Sequence, residues 1–387
     1  MRIGVIGTGV AGSLLTEQLA AAPGIIVEAF DHRDPGAAAG TGLNLGPNAM
    51  RALRLHLPAR HAAIRAASLP WRRWTVDLAD GTRLLDIDLL DVAEEAGVRI
   101  AWAELYRLLR APIADRTRQD LELVALEEDA MARLVPVLRD PTGGLLRPTG
   151  FDLLVAGDGR YSALRRLSVG PPIPTQHGLA MSRLLVLDAA DCPFDDYGQW
   201  FNGNARMLGY RLPQGAAYVT GALLLPDVDS EIPDHFRSPD YQRAVLLPRD
   251  RPACPAVAWM VGQMTAQASR QHWARLQSAP MLRSAAGGRV LFLGDAAQAM
   301  VPTLGQGATQ AIEDGVLAGL ILGRGGGVAE VAAARDRRVA FVRDFSLAAS
   351  DTMFPPCDPI AGTRAKAGPD FLAKLRRTYT DIYDRLG

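Results

Sequence analysis

Apolar and polar positions follow three rhythms along this chain. The first is the short unbroken apolar run expected of a strand buried on both faces. It occurs at Ile3, Val5 and Ile6, at Ile25 to Phe30, at Phe151 to Ala156, and at Arg289 to Leu293. The second is strict alternation. Trp74, Val76 and Leu78 alternate with polar residues, Asp80-Gly81 turns the chain, and Leu84 to Leu89 continue it, which predicts a β-hairpin over Trp71–Leu90. A second hairpin is predicted where Met207 to Leu212 and Ala217 to Leu224 flank Pro213-Gln214-Gly215, inside a stretch from Met181 to Gln263 that reads as strand throughout. Leu121 to Val124 and Leu134 to Leu138 also read as strands, with Pro136 confining the latter to a sheet edge. The third rhythm is helical. It runs from Ser13 to Ala22, from a start at Pro47 or Asn48 through Leu53, from Trp102 to Ile113, from Ala308 to Leu322, and over most of the chain from Val328. Pro355 to Pro369 reads as irregular, and His32 to Gly42 as a Gly- and Ala-rich loop.

Buried-strand runs separated by helices predict an α/β fold with a parallel sheet. The alternating segments belong to a different, antiparallel sheet. At 387 residues the chain exceeds one typical domain. The expected organisation is a nucleotide lobe of residues 1–70, 91–180 and 280–345, a second lobe of residues 71–90 and 181–279 inserted in two pieces, and a C-terminal helical segment, 346–387. A hydrophobic content of 48% supplies a large core, and a net charge of zero gives no pull toward nucleic acid or an anionic membrane. Cys192, Cys254 and Cys357 are too scattered for a disulfide framework or a zinc site. The first strand begins at residue 2 and no apolar run is long enough to span a bilayer, so the expected location is the cytoplasm.

The densest chemical signal is Gly7-Thr8-Gly9-Val10-Ala11-Gly12. It follows a strand and opens a helix, and Asp31 closes the next strand nineteen residues after Gly12. In such a unit the first glycine makes a tight turn, the second admits a pyrophosphate, and the third lets helix and strand touch. The helix N-terminus attracts the phosphates, and the acid accepts hydrogen bonds from a ribose. A bare glycine turn would leave the position of Asp31 without explanation. Two more segments have the same character. Gly157-Asp158-Gly159 follows one apolar run, with Ser162 and Arg165 at a helix start; Gly294-Asp295-Ala296-Ala297 follows another, ahead of Pro302-Thr303-Leu304-Gly305-Gln306-Gly307.

In order and spacing, Gly7–Asp31, Asp152–Arg165 and Arg289–Gly315 resemble the single-component FAD-dependent aromatic hydroxylases, flavoprotein monooxygenases with the p-hydroxybenzoate hydroxylase fold. The resemblance implies a Rossmann-like FAD-binding lobe and an antiparallel substrate lobe. It implies cofactor contacts at Gly7, Gly9, Val10, Ala11, Gly12, Asp31 and His32, at Asp158, Gly159 and Arg165, and at Gly294, Asp295 and Thr309. Asp158 and Arg165 would also serve the nicotinamide cofactor; the alternative for Arg165 is a solvated helix arginine. Asp295 would hold the ribityl chain. Pro302, Gly305, Gln306 and Gly307 would face the flavin ring as the catalytic loop. The implied chemistry is reduction of FAD by NADH or NADPH, formation of a C4a-hydroperoxide with O₂, and oxygen transfer to a small aromatic or heteroaromatic substrate. No metal is implied.

Three departures from the family pattern stand out. Trp102 occupies the place of an arginine that reaches the flavin phosphates, with Arg107 and Arg110 nearby but off that position; Gln298 replaces a histidine and Thr309 an asparagine. The missing cation predicts easy loss of FAD. Trp200, Tyr210, Tyr218 and Trp259 either line a substrate pocket or fill sheet core. His235 and His272 are isolated and read as surface or packed residues. Other chemistry on the same fold, such as Baeyer–Villiger oxidation or reduction, and a non-catalytic nucleotide-binding module remain as alternatives. Halogenation is disfavoured, because the only lysines, Lys366 and Lys374, fall outside the substrate lobe. The oligomeric state, monomer or homodimer, is left open.

Overall fold

The computed structural model describes residues 1–32 and 41–381. Most of the loop expected from His32 to Gly42 therefore lies outside the described residues, as do residues 382–387.

The apolar runs meet in one six-stranded sheet, in the order Ser284–Ala285, Val290–Phe292, Leu153–Ala156, Arg2–Ile6, Ile26–Phe30 and Thr117–Arg118. All neighbours are parallel except the first pair, and Ile3 aligns with both Leu153 and Val27. One face is covered by the helices Val10–Ala20 and Gln306–Gly323, where Leu14, Leu15 and Leu19 pack with Ile312 and Val316. Each such side chain contributes about 1.5–3 kcal/mol when removed from water. The other face, with Ile6, Phe30, Leu154 and Phe292, lies under a small sheet of Glu122–Glu128, Leu134–Arg139 and Leu145–Leu146. Pro136 is not on an edge strand as expected: Leu134–Arg139 is the middle strand of this sheet. Its outer neighbour is only two residues long and pairs with Leu138 and Arg139, so no ladder faces Pro136 on that side and its missing N–H is not needed there.

Both expected hairpins form, and both belong to one seven-stranded sheet. Its order is His272–Ser278, Thr175–Val186, Ala217–Leu224, Ala205–Arg211, Tyr197–Asn202, Arg73–Leu78 and Arg83–Asp88. The continuous strand character expected from Met181 to Gln263 does not hold. Residues 239–246 and 255–266 are helices. Val257, Met260, Val261 and Met264 carry the i, i+3, i+4, i+7 spacing of a buried helix face, and Pro255 sits in its first turn. These helices cover one face of the seven-stranded sheet; the other face looks toward the nucleotide-type sheet. A three-stranded sheet of Gly42–Leu45, Gly97–Ala101 and Leu69–Trp71, not expected from the sequence, joins the two.

The helix Gln306–Gly323 runs antiparallel to the long helix that follows it. Buried Glu313 and Asp314 on the first bind Arg335 and Arg338 on the second, Val328–Ala348, at 2.6–2.8 Å. The stretch Pro355 to Pro369, expected to be irregular, contains a helix over Pro359–Ala365 because Asp358 caps the N–H groups of Ile360 and Ala361. No helix among the described residues is long and apolar enough to cross a membrane.

Candidate functional site

One cavity of about 890 Å³ runs from the glycine turn to the inner face of the seven-stranded sheet. At the first end the glycines are sterically required. Gly7 has φ of +87°, and a Cβ there would sit 2.4 Å from the Asp158 Cα. A Cβ on Gly12 would lie 2.1 Å from the Gly7 carbonyl oxygen, so Gly12 packs helix on strand and does not itself line the cavity. Gly7, Gly9, Val10, Ala11, Asp31 and His32 do line it. Gly9 caps the helix Val10–Ala20 with no side-chain partner, and no acid occupies the first turn, which leaves its N–H groups and partial positive charge facing the cavity. Asp31 Oδ2 accepts from the Thr8 backbone N–H at 2.8 Å and from its hydroxyl at 2.6 Å.

The helix Trp102–Arg110 presents residues 102, 106 and 110 to the same end, one turn apart. The Trp102 and Tyr106 rings lie 4.5 Å apart and tilted by 30°, and the Arg110 guanidinium sits 4.6 Å over Tyr106. Arg110 donates to the Thr8 carbonyl and to Asp31, each at 3.0 Å. Arg107 points elsewhere and pairs with Glu104.

In the middle, Asp158, Gly159, Gly294 and Asp295 form the wall. Asp158 Oδ2 accepts from the Leu164 N–H at 3.2 Å, while its Oδ1 is buried without a partner. Burial raises the Asp158 carboxyl above its ordinary range. Burial also raises that of Asp295, against the opposing pull of Arg160, 4.0 Å away, and Arg183. Arg165 is not part of this wall. Its guanidinium is buried and donates to the carbonyls of Pro280, Ala296 and Ala297 at 2.8–3.1 Å, so it braces the Gly294 turn from behind. Arg160 and Arg166 line the cavity instead.

Pro302, Gly305 and Gly307 border the next section. Gly305 is left-handed, with φ of +64°, and caps the helix Gln306–Gly323 without a side-chain partner. Gln306 and Thr309, expected at the cofactor, face away. Gln306 accepts from Asn48 at 3.0 Å and from Gln310 at 3.1 Å, and the Thr309 hydroxyl accepts from the Gly46 N–H at 2.9 Å. Both hold the loop to the neighbouring helix rather than bordering the cavity. Gln298 is likewise turned inward, onto Asp314 at 3.1 Å.

Every second residue of three strands makes the far wall: Tyr197 and Gln199, then Arg206, Leu208 and Tyr210, then Tyr218, Thr220 and Ala222. Met181 and Arg183 extend it. Tyr210 and Tyr218 pair directly across strands, with rings 5.1 Å apart. Burial pushes the Tyr197 phenol up to about 12, and it lowers Arg206 to about 10, so at neutral pH the phenol is protonated and the guanidinium charged. Trp200 has the opposite parity and lies on the other face, 5.5 Å from Phe194 in the core under the helix Pro255–Ala266. Trp259 is on that side too, bonded to Asp191. His235 and His272 are outside the cavity. Gln199, Arg206 and Arg183 escaped the sequence reading, although the alternation through 197–201 and 206–210 carries the signal for the first two.

No protein-family model matches the chain. It is 31% identical over 336 residues to a 3-amino-4-hydroxybenzoate 2-monooxygenase of Streptomyces platensis, covering 83% of this chain and 79% of that protein. It is 26% identical over 328 residues to a 6-hydroxynicotinate 3-monooxygenase of Pseudomonas fluorescens, covering 82% and 81%. Among solved structures, Klebsiella pneumoniae HpxO complexed with FAD and uric acid superposes with a TM-score of 0.80 at 21% identity, covering 98% of this chain and 96% of that one. With a parallel nucleotide sheet, an antiparallel second sheet and one cavity between them, this chain belongs to the FAD-dependent aromatic monooxygenases, flavoproteins of the p-hydroxybenzoate hydroxylase fold.

Proposed function

We propose that the enzyme hydroxylates a small aromatic or heteroaromatic substrate with O₂, using NADH or NADPH as reductant, and that it works in the cytoplasm. The observation that carries this reading is the continuity of the cavity, from the Gly9–Asp31 cradle past Asp158 and Asp295 to the tyrosine-lined sheet face. The residues suit FAD. The glycine turn has no room for side chains, Asp158 offers a buried oxygen with no partner, and two uncapped helix N-termini face the cavity. When bound, FAD supplies the electron transfer and the oxygen activation.

The chain's own residues then bind, orient and exclude water. In this reading Gly9, Asp31 and Arg110 hold the adenylate half, and Asp295 accepts from the ribityl chain. Pro302, Gly305 and Gly307 would hold the ring, and first-turn N–H groups of Gln306–Gly323 would stabilise negative charge there. Tyr210, Tyr218 and Tyr197 wall the substrate end. The lobe division drawn from the sequence is kept as part of this reading, with residues 71–90 and 181–279 as the substrate lobe.

The test is a visible spectrum of the purified protein followed by NADH and NADPH oxidation with a panel of aromatic acids, phenols, pyridines and indoles. The panel includes 3-amino-4-hydroxybenzoate and 6-hydroxynicotinate, named for the relatives. The expected result is yellow protein, oxidation accelerated by at least one compound, and one ¹⁸O atom from ¹⁸O₂ in its product. Colourless protein that takes up no FAD, or product oxygen drawn from water, overturns the proposal.

A further inference from the structure

All but two of the chain's 42 Lys and Arg residues are arginine, and one of the two exceptions, Lys366, is buried, at 8% exposure. It follows the helix Pro359–Ala365. Its ammonium donates to the Ala349 carbonyl at 2.7 Å, to Asp351 Oδ1 at 2.8 Å and to the Thr352 hydroxyl at 3.3 Å. Three N–H groups on one nitrogen thus meet three oxygens from four consecutive residues. A compact ammonium suits that arrangement, and the planar fork of arginine does not. Burying a cation is unfavourable unless its donors are bonded, so the chain at 349–353 is held in the shape that presents these oxygens together.

That bend reaches both ends of the ring section of the cavity. Met353 lines the cavity itself, and Thr352 accepts from Arg206 on the sheet face at 2.6 Å. Ser350, fully buried, meets the hydroxyl of Thr303, in the loop 302–305 that precedes the helix Gln306–Gly323. Ser350 gives its one hydrogen to the Ser346 carbonyl at 2.9 Å, so Thr303 is the donor. A chain of buried polar contacts therefore runs from Lys366 through the bend to the loop.

We propose that Lys366 is a positioning residue for the oxidation: it sets the bend 349–353, and Ser350 of that bend holds the loop 302–305 at the ring end of the cavity. This rests on the monooxygenase reading above and assigns the C-terminal segment a part in it. A loosened loop no longer aims the first-turn N–H groups of Gln306–Gly323 at the ring.

The experiment has two arms. In the first, amide hydrogen exchange of the apoprotein is followed by mass spectrometry. Lys366→Met should speed exchange over residues 300–306 by roughly tenfold or more and leave the strands Arg2–Ile6 and Leu153–Ala156 unchanged. Ser350→Ala should do the same by roughly three- to tenfold, and Thr303→Ser, which keeps the hydroxyl, should stay within about threefold of wild type. In the second arm, the reduction potential of bound FAD should fall in Lys366→Met by about 30 mV or more, a tenfold change in relative affinity for the two-electron-reduced form. A purely structural part at the bend would not move it. If Lys366→Met does not fold, Asp351→Asn is read in its place: it removes the charge opposite the ammonium at a side chain that is 47% exposed, and should shift both readouts the same way. Loop exchange unchanged in these variants, exchange faster in every segment alike, or an unmoved potential overturns the proposal and leaves the monooxygenase reading standing. Wild-type protein that takes up no FAD overturns that reading, and the exchange arm then decides the link from Lys366 to the loop by itself.

Discussion

Arg110 Nη2 stands 3.0 Å from Asp31 Oδ2, and the same guanidinium reaches the Thr8 carbonyl at 3.0 Å. One side chain thus ties the far end of the helix Trp102–Arg110 to both the glycine turn and the acid that ends the second strand. The sequence pattern leaves a cation missing at Trp102. The structure puts a cation two turns later on the same helix face, with Tyr106 between them.

If Arg110 supplies the charge for the FAD phosphates, Arg110→Gln should weaken FAD binding by roughly ten- to a hundredfold, since a hydrogen bond to a charged group is worth about 1.5–3 kcal/mol. Trp102→Arg should gain less than threefold. Fluorescence titration of apoprotein with FAD measures both. Unchanged affinity in the Gln variant, or a large gain on restoring arginine at 102, would show that the site does lack its cation.

Asp295 borders the cavity at the end of the strand Val290–Phe292. Asp295→Ala should lower FAD affinity by about the same ten- to a hundredfold. The folded apoprotein should not be destabilised, because burial already disfavours this carboxylate in its charged form. Equilibrium dialysis against FAD and thermal unfolding of the apoprotein separate the two effects. A drop in apoprotein stability with FAD affinity intact would assign Asp295 a structural part instead.

Trp200 is expected to matter for folding and not for substrate. Trp200→Ala opens a cavity in the core beneath the helix Pro255–Ala266 and should cost about 3–5 kcal/mol. Trp200→Phe should cost less and leave KM for the substrate unchanged. Tyr218→Phe, on the cavity face, should alter KM with little loss in Tm. A KM shift for Trp200→Phe would mean that the two faces of the sheet are coupled.

Burial by itself would raise the Asp314 carboxyl, but Arg283 and Arg335 outweigh it and hold the group well below its ordinary value of 3.8. Glu313 is held below 4.5 in the same way, by Arg338 and Arg335. Both acids bind protons more readily in the unfolded chain, so their stabilisation is present above those ordinary values and is lost as pH falls through and below them. Acid unfolding should therefore steepen below about pH 4. Asp314→Asn should destabilise at neutral pH, because it removes one charge from a buried network in which Arg335 keeps Glu313 and Arg283 keeps Asp336 as partners, and should flatten that acid limb. Urea melts between pH 3 and pH 7 provide the measurement.

Where the physics is local, the sequence was enough. The strand, glycine turn, helix and acid from Arg2 to Asp31 lie within about thirty residues, and steric crowding at Gly7 and Gly12 leaves no other residue type possible. The turns at Asp158 and Gly294 are legible for the same reason, each being a strand end with its own glycines. What the tertiary structure alone decided is the direction of side chains and the meeting of distant ones. A strand reverses face at every residue, so Gln199 borders the cavity while Trp200 fills core, and composition favoured the wrong one. Arg165 and Arg166 are adjacent in sequence, yet the first clamps three carbonyls and only the second reaches the cavity, because a helix turns neighbouring residues to different sides. Most of residues 239–246 and 255–266 fell in the stretch read as strand, and they are helices: periodicity alone does not separate a short strand from a buried helix, and packing against a finished sheet selected the helix. Arg110 meets Asp31 across 79 residues and Arg206 meets Thr352 across 146. No periodicity spans such distances; only the closure of the sheets brings these pairs together.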